Sequence, residues 1–166
     1  MLTAERLREV LEYDPTSGVF IQVIVFDGRG SRWKPGRVCG HVSKQSGYLT
    51  LRIAGKLYQA HRLAWLYLHG SYPAHQIDHL NGVRTDNRIA NLRDVPNAIN
   101  RQNLRKPRSD NETGYQGVTL DKRRGVYWAR VRLNGVTTHL GCFDDPVAAH
   151  EAYLKAKRRM HVGCTI

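Results

Sequence analysis

The sequence predicts an α+β protein built from small modules. They are a β-rich N-terminal part, a central strand–strand–helix segment, and a C-terminal three-stranded antiparallel sheet packed on one helix. Three observations carry that expectation. The apolar runs are short and bounded by Gly, Pro, Asn and Asp clusters, the pattern of short strands joined by tight turns. Helical stripes are few and brief, and each ends at a recognisable cap or breaker. A polar stretch, Ser109-Asp-Asn-Glu-Thr-Gly114, separates the last group of strands from everything before it.

Taken in order, Thr3 can N-cap a short helix with Leu7, Val10 and Leu11 on one face, and Asp14-Pro-Thr-Ser-Gly18 is a turn cluster that ends it. Val19 to Phe26 reads as a strand and Asp27-Gly-Arg-Gly30 as a turn. Tyr48 to Ile53 and Leu57 to Gln59 read as two strands joined through Ala54-Gly-Lys56. His61 to His69 reads as a helix with Leu63, Leu66 and Tyr67 on its buried stripe and Gly70 just past its end. Ile77-Asp-His79 is a short strand, Asn81-Gly82 a sharp turn, and Leu92 to Val95 a second strand. A helix follows, with Asn97 as its N-cap and Asn100 in its first turn. Three more strands are expected at Gln116 to Leu120, Val126 to Leu133 and Thr137 to Leu140. Asp145-Pro146 then opens a helix whose stripe, Ala149, Ala152, Tyr153, Ala156 and Met160, is small enough for close approach to a sheet. Lys155, Lys157, Arg158 and Arg159 fall at that helix's C-terminal end, where the backbone dipole favours cations. The expected boundaries are residues 1–59, 60–106, a linker at 107–113, and 114–163.

The formal net charge is +12, and each third of the chain carries +4: residues 1–59 hold 9 Lys/Arg against 5 Asp/Glu, 60–110 hold 8 against 4, and 111–166 hold 9 against 5. An excess spread so evenly suits a molecule that tracks a polyanionic backbone, although solvated surface charge alone gives the same total. The stretch 101–108 adds four cations and no acid, with Arg101 and Arg105 the expected phosphate contacts. Cys39, Cys142 and Cys164 are odd in number, widely spaced and without a Cys-x-x-Cys pair, which argues against a disulfide framework and a zinc ribbon. They read as reduced thiols of a cytoplasmic protein. The first ten residues mix charges of both signs and do not read as a signal peptide, and no apolar run suits a membrane span.

The chemistry concentrates between Gln76 and Asn100. Asp78 and Asn100 are oxygen donors of the kind Mg²⁺ or Mn²⁺ prefers, and one carboxylate plus one amide leaves room for water and phosphate oxygens. His79, one residue from Asp78, can stay neutral near pH 7 and take a proton from water. Asn91 cannot ionise, and its expected work is to bond backbone and fix the loop that aims His79. Turn residues and caps account for any one of these alone; the set of four at these spacings points to phosphodiester hydrolysis.

Residues from about His61 to Asn103 resemble the HNH nuclease module, the ββα-metal fold, in its phage and homing-endonuclease branch. The resemblance is carried by His61-Arg-Leu63, Ile77-Asp-His-Leu-Asn-Gly82 and Thr85-Asp-Asn-Arg-Ile-Ala-Asn-Leu-Arg93. It implies His79 as general base, Asn91 as the structural asparagine of the catalytic set, and Asp78 and Asn100 as ligands of one divalent metal, Mg²⁺ or Mn²⁺. Asn100 stands where many relatives have histidine. His61 opens the motif and reads as a packed helix histidine; His75 reads equally as a phosphate contact or a surface residue.

Residues 114–163 carry a second resemblance, to the ethylene-response-factor type of DNA-binding domain, in Tyr115-Gln-Gly-Val118, Trp128-Ala-Arg-Val-Arg132, Leu140-Gly-Cys-Phe-Asp144 and Ala148-Ala-His-Glu-Ala-Tyr153. It implies a sheet laid in the major groove, with Gln116, Thr119, Arg130, Arg132, Thr137 and His139 as contacts. Trp128 reads as core or platform. In the N-terminal part, Arg29, Arg32, Trp33, Lys34 and Arg37 form a basic cluster that suits either DNA or a plain surface loop.

Together these imply a site-specific, metal-dependent homing endonuclease acting on double-stranded DNA in a bacterial host. It would work as a monomer that nicks one strand, with a dimer or a second encounter required for cutting both. The alternative is a DNA-binding regulator with a vestigial nuclease site.

Overall fold

The structure, a computed structural model, describes residues 1–23 and 35–166. The far end of the expected Val19–Phe26 strand, the Asp27–Gly30 turn, and Arg29, Arg32, Trp33 and Lys34 lie outside the described residues. The architecture is α+β with small antiparallel sheets, and the chain divides into two compact units, Met1–Asn97 and Ala98–Ile166.

In the first unit, helix α1 (Ala4–Val10) starts where Thr3 accepts a bond from the Arg6 amide at 3.2 Å. The helix ends one residue earlier than the apolar stripe suggests. Leu11 is extended (φ −133°) and opens strand β1 (Leu11–Asp14), which pairs antiparallel with β2 (Val19–Gln22). Burial of Leu11 and Tyr13 on one face of β1 outweighs a fourth helical contact, so period two replaces period 3.6. The connecting turn is tied by the Asp14 carboxylate, which accepts from the Thr16 amide at 2.8 Å and the Ser17 hydroxyl at 2.5 Å. β3 (Val38–Cys39), a short strand not legible in the sequence, completes this sheet in the order β1-β2-β3.

A second sheet runs β4-β5-β6, from β4 (His41–Val42), β5 (Leu49–Ile53) and β6 (Lys56–Gln59). Ala54 (φ 47°) and Gly55 (φ 81°) turn the β5–β6 hairpin. Helix α2 (Ala60–His69) follows directly and stops at Gly70, whose left-handed backbone (φ 74°) lets its amide reach the Leu66 carbonyl. The third sheet is the pair β7 (Gln76–His79) and β8 (Leu92–Val95). One continuous core runs through all of these: Leu7, Val10, Phe20, Leu51, Ile53, Leu63, Leu66, Ile77 and Leu92 belong to a single cluster. The N-terminal strands are therefore packed into the same core as β7 and β8.

The second unit opens with most of α3 (Asn97–Gln102), in which Asn97 is the first helical residue. Strands β9 (Val118–Asp121), β10 (Val126–Leu133) and β11 (Val136–Phe143) form a sheet ordered β11-β10-β9. Asp145 caps helix α4 (Pro146–Met160) by accepting from the Ala148 amide at 2.9 Å. Ala149 and Tyr153 pack onto the sheet, and a Cβ at Gly117 would overlap the Tyr153 ring, so glycine is required there for close approach. Lys157 sits in the last turn of α4 but is fully buried, unlike the exposed cations on either side of it.

Candidate active site

Strand β7 buries residues on both of its faces. Ile77 and His79 point toward the core, while Asp78 points the other way and is covered by a cross-strand partner. That partner is Arg93, directly opposite Asp78 in the β7–β8 register. Its Nη2 and Nε both donate to Asp78 Oδ2, at 2.7 and 3.0 Å. Using a single carboxylate oxygen, the pair fixes the rotamer of Asp78 and compensates its burial. Arg93 is not legible as a site residue from composition, but the strand register points to it.

His79 is 4% exposed and lies in an aromatic nest. The His61 ring meets it edge-on at 5.1 Å between centroids (80° between planes), and Tyr48 lies 4.9 Å from His61 and 5.8 Å from His79. Arg84 stacks over Tyr48 at 5.0 Å and donates to the Ser46 carbonyl at 2.6 Å, which closes the nest from the loop side. Burial pushes the His79 pKa below its ordinary value, against smaller upward pulls from Asn87, Asp78 and Asp86. His61 is pushed down to about 3, chiefly by burial and then by the neighbouring His79 and Arg62. Both imidazoles are thus neutral near pH 7. His61 occupies the first turn of α2, and its Nδ1 has no partner among the described residues.

The connection from Leu80 to Asn91 is a fixed loop. Asn91 spans it: its Oδ1 accepts from the Asn81 amide at 2.9 Å and its Nδ2 donates to the Asp86 carbonyl at 2.8 Å. The Asp86 carboxylate, held near pKa 2 by Arg88, also accepts from Asn81 Nδ2 at 2.7 Å. Asn87 lies beneath, 1% exposed, with its carbonyl taking the Tyr13 hydroxyl at 2.6 Å from the first sheet. Its Oδ1 faces His79 Nε2 at 3.4 Å, a long contact in which a protonated Nε2 would be the donor. The β1–β2 turn braces the same loop: the Ile89 amide donates to the Pro15 carbonyl at 3.2 Å, and a Cβ at Gly18 would lie 2.5 Å from the Arg88 nitrogen. Sequence reasoning missed Asn87, Tyr48 and Tyr13. Asn87 stood within the quoted Thr85–Arg93 run; the two tyrosines join it only through tertiary packing.

The structure brings Asp78, His79 and Asn91 together in the first unit, whereas Asn100 lies on α3 in the second. No group of three or more His, Cys, Asp or Glu side chains converges among the described residues. One carboxylate with amide oxygens is a donor chemistry that fits a hard cation keeping much of its water, rather than one enclosed by protein.

On the β9–β11 sheet, Ala129 and Val131 point into the core, so Trp128, Arg130 and Arg132 occupy the opposite face. Register adds Thr119 opposite Trp128, His139 opposite Arg130 and Thr137 opposite Arg132. Arg130 lies over the Trp128 ring at 5.6 Å and His139 meets its edge at 5.3 Å, which makes Trp128 a platform on the exposed face. Gln116 is engaged internally: its Nε2 donates to the Leu104 carbonyl at 2.9 Å and its Oε1 accepts from Lys157 at 3.1 Å. Arg105 donates to Thr165, while Arg101 and His75 are exposed.

Residues 58–102, from the end of β6 through α3, match the family described as HNH endonuclease. No curated protein and no solved structure matches the chain. The matched segment holds the buried Asp78–His79 pair, and the match supports a DNA-hydrolysing enzyme of a family whose members generally use a divalent metal.

Proposed function

We propose that this protein is a site-specific, homing-type endonuclease that nicks one strand of double-stranded DNA, using Mg²⁺ or Mn²⁺. The observation that carries the reading is His79: a buried imidazole kept neutral, with Asn87 facing Nε2, one residue from a carboxylate whose rotamer Arg93 fixes. The neutral His79 imidazole takes the proton of the attacking water, the water oxygen bonds to phosphorus, and the P–O3′ bond breaks. The products carry 5′-phosphate and 3′-hydroxyl ends. A divalent cation held by Asp78 and Asn100 would supply charge neutralisation at phosphorus and at the departing 3′ oxygen. Asn91 and Asn87 keep the loop, and with it the His79 ring, in one orientation. DNA is held by Thr119, Arg130, Arg132, Thr137 and His139 on the exposed sheet face, with Arg101 on backbone phosphate. Gln116 and Arg105 hold their own unit together first, and any DNA contact they make is secondary.

A supercoiled-plasmid time course with Mg²⁺, Mn²⁺ or EDTA tests this, with host DNA cloned into the plasmid and the product ends analysed. Metal-dependent open-circular DNA with 5′-phosphate ends is expected. Direct linear product would replace the monomer with paired active sites. Tight DNA binding with no cleavage in any metal would make the protein a regulator instead.

A further inference from the structure

Three features lie outside the proposed nuclease machinery: the buried His61 nitrogen, the Trp128 platform, and the buried cation Lys157 with the residues that follow α4. The third reaches furthest. Helix α3 has six residues, none of them fully buried, and a helix that short is not stable by itself. It must be held, and within the second unit it is held by residues 157–165. Gly163 is buried against it: a Cβ there would run into the Ile99 carbonyl oxygen, and its amide donates to Gln102 Oε1 at 2.9 Å. The Thr165 hydroxyl donates to Asn103 Oδ1 at 2.5 Å and accepts from Arg105 Nη2 at 2.9 Å. Below the helix end, Lys157 Nζ and Gln116 Nε2 both donate to the Leu104 carbonyl, at 2.6 and 2.9 Å. The ammonium, 1% exposed, is compensated by the Leu104 carbonyl, by Gln116 Oε1 at 3.1 Å and by the Tyr153 ring 5.7 Å away, so it ties α4 to the chain that leaves α3.

We infer that Lys157, Gly163 and Thr165 are positioning residues for α3, and through it for Asn100. On this account the sheet-and-helix unit that captures DNA also sets the orientation of one proposed metal ligand. The inference rests on the reading of Asn100 as a ligand, and it assigns a nuclease role to a segment that carries no nuclease motif. Misplacing a catalytic group by about 1 Å can cost on the order of 100-fold in rate. Gly163→Ala forces either α3 or the 161–166 segment to move, and Thr165→Val removes two bonds without adding bulk.

The experiment compares wild type, Gly163→Ala, Thr165→Val and Asn100→Ala as full chains. Three quantities are measured: DNA affinity in EDTA, Mn²⁺ affinity of the DNA complex by electron paramagnetic resonance, and single-turnover cleavage across a Mn²⁺ series. The expected result is at least tenfold weaker Mn²⁺ binding and slower cleavage in Gly163→Ala and Thr165→Val, with DNA affinity in EDTA within twofold of wild type. If Gly163→Ala does not fold, Thr165→Val decides alone. Wild-type Mn²⁺ affinity in both variants, while Asn100→Ala has lost it, would overturn the positioning role and leave the ligand reading intact. Wild-type Mn²⁺ affinity in Asn100→Ala would remove the ligand reading itself, and the inference with it.

Discussion

The two units contain the same local construction put to opposite uses. Each has a three-stranded antiparallel sheet with a helix packed against it: β4-β5-β6 with α2, and β11-β10-β9 with α4. Their hairpins turn alike, through Ala54 (φ 47°) and Gly55 (φ 81°) in one and Asn134 (φ 49°) and Gly135 (φ 85°) in the other. In each, an arginine two residues before the turn donates to the glycine carbonyl: Arg52 to Gly55 at 3.0 Å and Arg132 to Gly135 at 3.3 Å. The difference lies in where the polar residues go. The first unit draws Asp78, His79, Asn87 and Asn91 inside a large shared core, where burial and fixed hydrogen bonds set their chemistry. The second has a smaller apolar core around Val118, Ala129, Val131 and Ala149, buries Asn103, Lys157 and His161 away from any proposed reacting group, and leaves Arg132, Thr137 and His139 exposed. On the proposed function, the interior polar groups of the first unit serve the reaction and the exposed sheet face of the second serves capture.

That contrast can be broken at its core first. Phe20 is fully buried in the cluster that braces the site, and Phe20→Ala should cost about 3–5 kcal/mol. Chemical denaturation followed by amide NMR should show the first unit melting earlier while β10 signals keep their midpoint. A common shift of both would merge the two units into one cooperative body.

A smaller effect separates reaction from capture. Asn87→Ala should slow cleavage roughly 10- to 100-fold, as lost support of a catalytic imidazole typically does, with DNA affinity unchanged. Arg130→Ala and Arg132→Ala should do the reverse. Each is expected to weaken binding by about 1–3 kcal/mol if it reads a base, or to lower the salt slope by about one if it meets phosphate. Neither should alter the single-turnover rate at saturating protein, and a rate loss would place those arginines nearer the reaction.

The smallest effect is in pH. The folded pKa values of His79 and His61 lie below the ordinary histidine value of about 6.5. The unfolded chain therefore binds more protons below that pH, and stability is lost as pH falls from about 6.5 toward the folded values. The loss should reach at most about 1.4 kcal/mol per pH unit for each histidine. The acid limb of cleavage should fall at lower pH than an ordinary imidazole would give, because burial shifts His79 protonation downward. Melting curves and rates from pH 5 to 8 test both, and an acid limb above 6.5 would contradict the buried neutral imidazole.

How much of this was legible in the sequence depended on sequence distance. The Thr3 cap, the β5–β6–α2 run, β10 and the Asp145 cap are local, and each is written in a few adjacent residues. Leu11 leaves the helix its local stripe predicts, because its pairing with Gln22, eleven residues on, outweighs that stripe. Asn87 could not be placed, since its partner Tyr13 is 74 residues away. Lys157 reads only as one of four cations at a helix C-terminus, because nothing near it in sequence announces the Leu104 carbonyl it serves.

The most direct test of the central claim is His79→Ala, assayed for binding and cleavage on the same plasmid. The structure predicts unchanged DNA affinity and a cleavage rate lower by a factor on the order of 10² to 10⁴. Cleavage at the wild-type rate would mean that the buried imidazole is not the base and that the reaction is carried elsewhere in the chain.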